Sequence, residues 1–212
     1  MPVDIFRADD INKSCVEPAE VIFVMPATDL EVAKRCANLM VKRAGAELTV
    51  LIIHDVWTEG FIALCNRVFT SSSSVYFGYV AQDAFPGRQW LKIALRVMQN
   101  DVQRGGLFAF NDGKWQGMLA SFGMVNRHWA EQNYNGDLFK PTYHRHYADV
   151  ELTLLAMEQG MYRSDARSVL VEIDWEKELK SVDRQDRLLY RQRVATGFEG
   201  RVVNSKLLLL FR

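Results

Sequence analysis

His144, His146 and Asp149 stand close together in YHRHYAD and hold half of the chain's four histidines. In a strand, positions two apart share a face, so both imidazoles could reach one metal ion. If a helix begins near His146, that residue and Asp149 share its face instead. Imidazole with carboxylate suits Mn²⁺, whereas Mg²⁺ prefers oxygen ligands alone. An exposed histidine pair beside an aspartate that stabilises a helix N-terminus accounts for the same residues. Asp83, in VAQDAFPGRQWL, is placed either to hold Mg²⁺ or Mn²⁺ against a diphosphate or to cap the helix that follows. Asp55, at the end of LTVLIIHD, could accept from a base N–H or cap the next element. Asn111-Asp112-Gly113 reads first as a turn. Arg184, Arg187, Arg191, Arg193 and Arg201 read as a solvated basic face, of which one member could cover a phosphate.

The elements that must position these groups follow from periodicity. VIFVM (21–25) is a continuous apolar run suited to a strand buried on both faces, and Pro26 is expected to stop it. Leu30 to Ala44 is an amphipathic helix opened by Thr28 or Asp29 and ended by Gly45. A strand over 48–54, a helix near 60–69, a strand over 75–81 and a helix after Pro86 continue the alternation. Strand, helix and strand with short connections predict a parallel sheet covered by helices, with the loops after all three strands on one edge. Ligands bind there, so Pro26 to Asp29, His54 to Glu59 and Gln82 to Gly87 are the segments to watch. Further on, GGLFAFN, GMLASFGMV and RSVLVEIDW are strand candidates. YADVELTLLAMEQG is a helix stopped by Gly160, and 181–195 is a charged surface helix.

Composition narrows the class. Of 212 residues 49% are hydrophobic and 25% charged, with 13 glycines and 5 prolines, so collagen-like and broadly disordered readings are excluded. Lys plus Arg equals Asp plus Glu at 26 each, so no global field points to nucleic acid or an anionic membrane. Cys15, Cys36 and Cys65 have no metal-finger spacing and fit a reducing compartment. No signal pattern opens the chain, and LLLLF (207–211) is too short to span a bilayer, so a cytoplasmic protein is expected. No GxGxxG, P-loop or GxSxG is present. An α/β sheet without glycine-rich phosphate loops must bind anions otherwise, which directs attention to a divalent metal.

In order, these segments resemble the GT-A fold nucleotide-diphospho-sugar glycosyltransferases, close to glycosyltransferase family 2. VIFVMPATD resembles the family's first strand and turn, which implies nucleotide contacts from Pro26, Ala27 and Thr28. Asp55 resembles its uracil-binding aspartate, and Asn66 in CNRVFTSS resembles the asparagine of its next helix. YVAQDAFPGRQWL resembles a loose DxD element in which Asp83 is the metal ligand and Gln82 a polar substitute; Ala81 and Phe85 cannot ligate. YHRHYADVELTLLAMEQG resembles the segment carrying the catalytic base, with Asp149 in that position.

The resemblance implies a single three-layer α/β/α domain with a mostly parallel sheet. Residues 18–110 form its nucleotide-binding half, 111–175 its acceptor and catalytic half, and 176–212 a C-terminal helix and tail. It implies a UDP-sugar donor, an unknown hydroxyl acceptor, Mn²⁺ or Mg²⁺ on Asp83 with His146 and His144, and inversion at the anomeric carbon. A catalytically weak or inactive nucleotide-sugar-binding module of the same fold is the alternative. A nucleotidyltransferase would need a glycine-rich, arginine-bearing loop after the first strand, which MPATDL lacks. A strand over 206–212 is expected to offer an edge to a second subunit.

Overall fold

The computed structural model describes residues 2–11, 16–100, 105–173 and 183–211. Strands β1 (Val3–Arg7), β2 (Ala19–Ala27), β3 (Thr49–His54) and β4 (Ser74–Tyr79) alternate with helices α1 (Leu30–Arg43) and α2 (Phe61–Ser71). Next come β5 (Ala84–Pro86), α3 (Trp90–Asn100), β6 (Leu107–Asn111), β7 (Gly123–Asn126), α4 (Arg127–Glu131), α5 (Ala148–Glu158) and β8 (Tyr162–Glu172). Helices α6 (Arg184–Ala195), α7 (Gly197–Gly200) and α8 (Ser205–Leu209) close the chain.

The strands form one sheet in the order β1-β3-β2-β4-β7-β6-β8-β5. Neighbours β1, β3, β2 and β4 pair in parallel, as do β6 and β8; β7 and β5 run against their neighbours. Six strands therefore share one direction, and their C-terminal ends lie along one edge.

The period of two explains the layers. In β2, Ile22 and Val24 belong to the core beneath α2 and α5, while Val21, Phe23 and Met25 belong to the core beneath α1 and α3. A strand apolar at every position is thus buried on both faces. Gly78 of β4 is required by that packing, because a Cβ there would stand 2.1 Å from the Phe23 ring. Helix α1 opens where its cap predicts: Asp29 Oδ1 accepts from the N–H groups of Glu31 and Val32, each at 3.0 Å. Its buried residues Ala33, Cys36, Ala37 and Met40 recur at helical spacing. The expected α/β/α sandwich with a mostly parallel sheet is the fold observed.

Several local expectations change. Pro26 does not stop β2, which continues to Ala27. Val24 C=O accepts from Val80 and Ala27 C=O from Asp55 of the β3 side, so even-numbered residues here face β4. Pairing with β4 ends at Val24, so Pro26 lacks a donor only where no partner strand remains. β1 and β5 were not anticipated. The strand expected over 206–212 is instead α8, capped by Asn204, whose side chain accepts from Lys206 N–H at 3.0 Å. An apolar run of four leucines cannot itself distinguish strand from helix, and the expected dimer edge loses its strand; Arg212 lies outside the described residues. So do Cys15, residues 174–175 of the eighth-strand segment and residues 181–182 of the charged helix. Cys36 and Cys65 are buried free thiols. Among the described residues no helix is long and apolar enough to cross a membrane.

Candidate active site

At the C-terminal edge of the sheet lies a cleft of about 460 Å³, bounded by the start of α2, the segment between β6 and β7, the start of α5 and the end of β8. Its charged lining is Lys114, Arg145, Asp149 and Glu172, with His146 among them. Trp115 and Tyr147 contribute aromatic walls.

The β6–β7 segment is organised by Asp112, which is buried. Its Oδ1 accepts from the N–H groups of Lys114, Trp115 and Gln116 at 3.1, 2.7 and 3.1 Å, and its Oδ2 from Ser121 Oγ at 2.6 Å. One carboxylate thus satisfies the donors of a tight loop and presents Lys114 and Trp115 to the cleft. Thr153 ties this loop to α5: its Oγ1 accepts from Ala120 N–H at 3.1 Å and donates to Asp149 C=O at 2.7 Å.

Asp149 occupies the first turn of α5. Burial pushes its carboxyl up to about 6, against hydrogen bonds from the backbone of Val150 and Asp149 itself that lower it, while the charge of Asp112 adds to the rise. A carboxylate poised near neutrality inside a cleft is suited to taking a proton. The preceding residue but one, Tyr147, has φ +67 and stacks on Tyr190 of α6, with centroids 4.7 Å apart and planes 15° from parallel. A left-handed non-glycine residue costs of order 1 kcal/mol and is held here by its surroundings.

Residues 144–146 are fastened from α6. The Asp186 carboxylate accepts from the N–H groups of His144, Arg145 and His146 at 2.9, 2.7 and 2.8 Å. His146 Nδ1 accepts from Asp183 N–H at 3.4 Å, and burial holds the imidazole below its usual range despite the opposing influence of Asp186 and Asp183. Helix α6 is itself locked to α5. Arg193 Nε and a terminal guanidinium nitrogen donate to Glu151 at 2.6 and 2.7 Å, and the hydroxyls of Tyr134 and Tyr143 donate to the same carboxylate at 3.0 Å each. Glu151 has no exposed surface. Arg193 is therefore a buried structural cation, not part of a solvated face.

The residues singled out in the sequence scatter over this edge. Gln82 Oε1 accepts from Thr28 and Asp29 N–H at 2.8 and 3.0 Å, joining the turns beyond β4 and β2 where Pro26 and Ala27 end their strand. Asp55 caps its own loop, accepting from Glu59 N–H at 2.8 Å and Gly60 N–H at 3.1 Å. Asn66, only 7% exposed, pairs its amide with both backbone groups of Phe139 at 3.0 and 2.8 Å, so its hydrogen bonding serves the protein's own chain. Asp83 is buried, and its charge acts with burial to push up the Cys36 thiol of α1. Pairing of β5 with β8, Ala84 opposite Glu172, holds that turn.

Asp149 and His146 share the cleft, but Asp83 and the exposed His144 do not line it. Among the described residues no three His, Cys, Asp or Glu side chains come together in a way that could hold a metal ion. The expected ligand set of Asp83, His144 and His146 is therefore not brought together, and Asp186 fastens the histidine segment to α6.

The sequence reading missed Glu151 and Asp186, while the turn expected at Asn111-Asp112-Gly113 is the one that Asp112 organises. For Glu151 a signal existed: α5 is buried nearly all round, and a carboxylate in such a helix requires a partner. For Asp186 nothing local distinguishes an organising carboxylate from a solvated one.

No protein-family model matches the sequence, and no curated protein matches it. Solved structures do. A mannosyltransferase, PcManGT from Pyrobaculum calidifontis, in complex with GDP-Man and Mn²⁺, superposes with a TM-score of 0.54 at 12% identity over 86% of this chain. S. aureus TarS 1-349 superposes with a TM-score of 0.56 at 10% identity, again over 86% of this chain and over 71% of its own. This chain spans 62% of the mannosyltransferase's length. At these identities the likeness establishes the fold: it is the GT-A arrangement found in nucleotide-sugar glycosyltransferases.

Proposed function

We propose that this chain is a glycosyltransferase that takes a UDP-sugar and passes the sugar to a hydroxyl acceptor, with Asp149 as the catalytic base. The observation that carries the reading is Asp149 itself, a carboxyl pushed up to about 6 in a cleft at the C-terminal sheet edge. In this reading the nucleotide lies over the ends of β2, β3 and β4, framed by Thr28, Asp55 and Gln82. The sugar projects toward Asp149. The acceptor hydroxyl gives its proton to the carboxylate as its oxygen attacks the anomeric carbon from the side opposite the diphosphate. The bond to the diphosphate oxygen breaks with its electron pair, and the anomeric configuration inverts.

Among the described residues no group of three or more His, Cys, Asp and Glu side chains is placed to hold the Mn²⁺ or Mg²⁺ that the resemblance implies. The cations available to offset charge on the departing diphosphate are Lys114 and Arg145, both in the cleft lining. Arg145 is set in place by its backbone bond to Asp186. The buried, inward Asp83 favours a second reading, in which the chain binds the nucleotide sugar without transferring it.

The test joins calorimetric titration of UDP with UDP release from a panel of UDP-sugars, for the wild type and Asp149→Asn. UDP is expected to bind both proteins alike, with release slowed about 10²–10⁴-fold in the variant. Binding without release from any donor would select the binding-module reading. Absence of UDP binding would remove both.

A further inference from the structure

A second cavity, of about 520 Å³, opens on α6 and is lined by Tyr147, Arg187, Tyr190, Arg191, Val194 and Phe211. Three aromatic residues lie where it adjoins the Asp149 cleft. Tyr147 lines both spaces, and Trp115 of the cleft packs edge-on against Phe211 of the cavity, with centroids 5.8 Å apart. The two spaces are thus neighbours that share an aromatic boundary.

The chemistry of the lining is specific. Arg187 and Arg191 are four residues apart on α6, so their guanidinium groups share one face. Both are exposed, and among the described residues neither side chain has a hydrogen-bonding or carboxylate partner. The acids nearest in sequence are engaged elsewhere: Asp183 caps α6, and Asp186 holds the backbone of 144–146. Arg193, on the same helix, has its carboxylates in Glu151 and Glu199. Two like charges one turn apart repel mildly, and an anion seated between them removes that repulsion. Guanidinium pairs match the planar, bidentate geometry of phosphate oxygens. On the same face of α6 stand Tyr190, stacked on Tyr147, and Val194, which with Phe211 form an apolar surface beside the arginines suited to a ring or carbon chain.

We propose that this cavity is the acceptor subsite and that the acceptor carries a phosphate group. Its phosphate lies between Arg187 and Arg191, its carbon framework lies on the Tyr147–Tyr190 stack, and its hydroxyl end passes Tyr147 to reach Asp149. The acceptor role rests on the glycosyltransferase reading; the phosphate site stands on the cavity alone. The strained Tyr147 is then a divider that fixes how far the nucleophile stands from the base.

The test titrates phenyl phosphate, and phenol as the neutral control, into the wild type and an Arg187→Gln/Arg191→Gln variant, with UDP titrated into both. Both arginines are on the surface, so the variant is expected to fold, which a thermal melt checks. Phenyl phosphate should bind the wild type, bind the variant at least about tenfold more weakly, and exceed phenol in affinity. UDP affinity should be the same in both proteins. Equal phenyl phosphate affinity in the two proteins, or none in the wild type, would overturn the site. Failure of UDP to bind the wild type would instead sink the glycosyltransferase reading, and the phenyl phosphate titration would still decide the phosphate site.

Discussion

Replacing Asp149 by Asn should make the protein more stable, and by an amount that grows with pH. Burial raises the carboxyl from an unfolded value of 3.8 to about 6 in the folded chain. Below 3.8 both states hold the proton and the residue contributes no difference. Between the two values the folded state binds the proton and the unfolded state does not, so stability falls as pH rises through this window and levels off above 6. At 1.36 kcal/mol per unit, the full penalty above pH 7 is about 3 kcal/mol, and at pH 5 it is roughly half that. These are upper values, because Asp149 keeps part of its surface in water. Asparagine has the same shape, keeps an oxygen for the Val150 N–H and never ionises. For a chain of this size each kcal/mol moves Tm by roughly 2–4 °C, so Asp149→Asn should melt above the wild type by at most about 6–12 °C at pH 8 and by about half as much at pH 5. Thermal melts at the two pH values, followed by far-UV circular dichroism, measure this without any substrate. A shift that is the same at both, or a variant less stable at pH 8, would refute the claim that this carboxyl is poised near neutrality by burial.

Transfer by the wild type should rise with pH through about 6 and then level, since the base acts deprotonated; a rate flat from pH 5 to 8 would count against Asp149 as base. Arg193→Met should lower stability by about 3–5 kcal/mol in urea unfolding, because it strands the Glu151 carboxylate in the core with two tyrosine hydroxyls. Partial recovery in Glu151→Gln/Arg193→Met is expected, and an unchanged urea midpoint for the single variant would show that the pair carries no such load. Asn66→Ala should cost about 1–3 kcal/mol by leaving both backbone groups of Phe139 buried without partners, with UDP affinity unchanged. A selective loss of UDP binding there would return Asn66 to the nucleotide site.

The alternation of strands and helices in the first hundred residues was legible because each signal is local. The continuous apolar run VIFVM, the period of 3.6 in α1 and the Asp29 cap involve neighbours within a few residues. Asp149 at the head of α5 was legible for the same reason. What the sequence could not supply is where a local element meets the rest of the chain. Pro26 reads as a strand stop until β4 is seen to end beside it. Asp112 reads as a turn residue until Ser121 and three loop N–H groups converge on it. Arg193 reads as a solvated charge until α6 packs on α5 and pairs it with Glu151, 42 positions away, out of water. Asp83, His144 and His146 read as one ligand set, although the fold does not bring the three together and Asp186 ties the histidine segment to α6. Hydrogen bonds and hydrophobic periodicity within an element are written in consecutive residues. Desolvation, ion pairing and the convergence of a site depend on distances between segments remote in sequence, which only the packed chain determines.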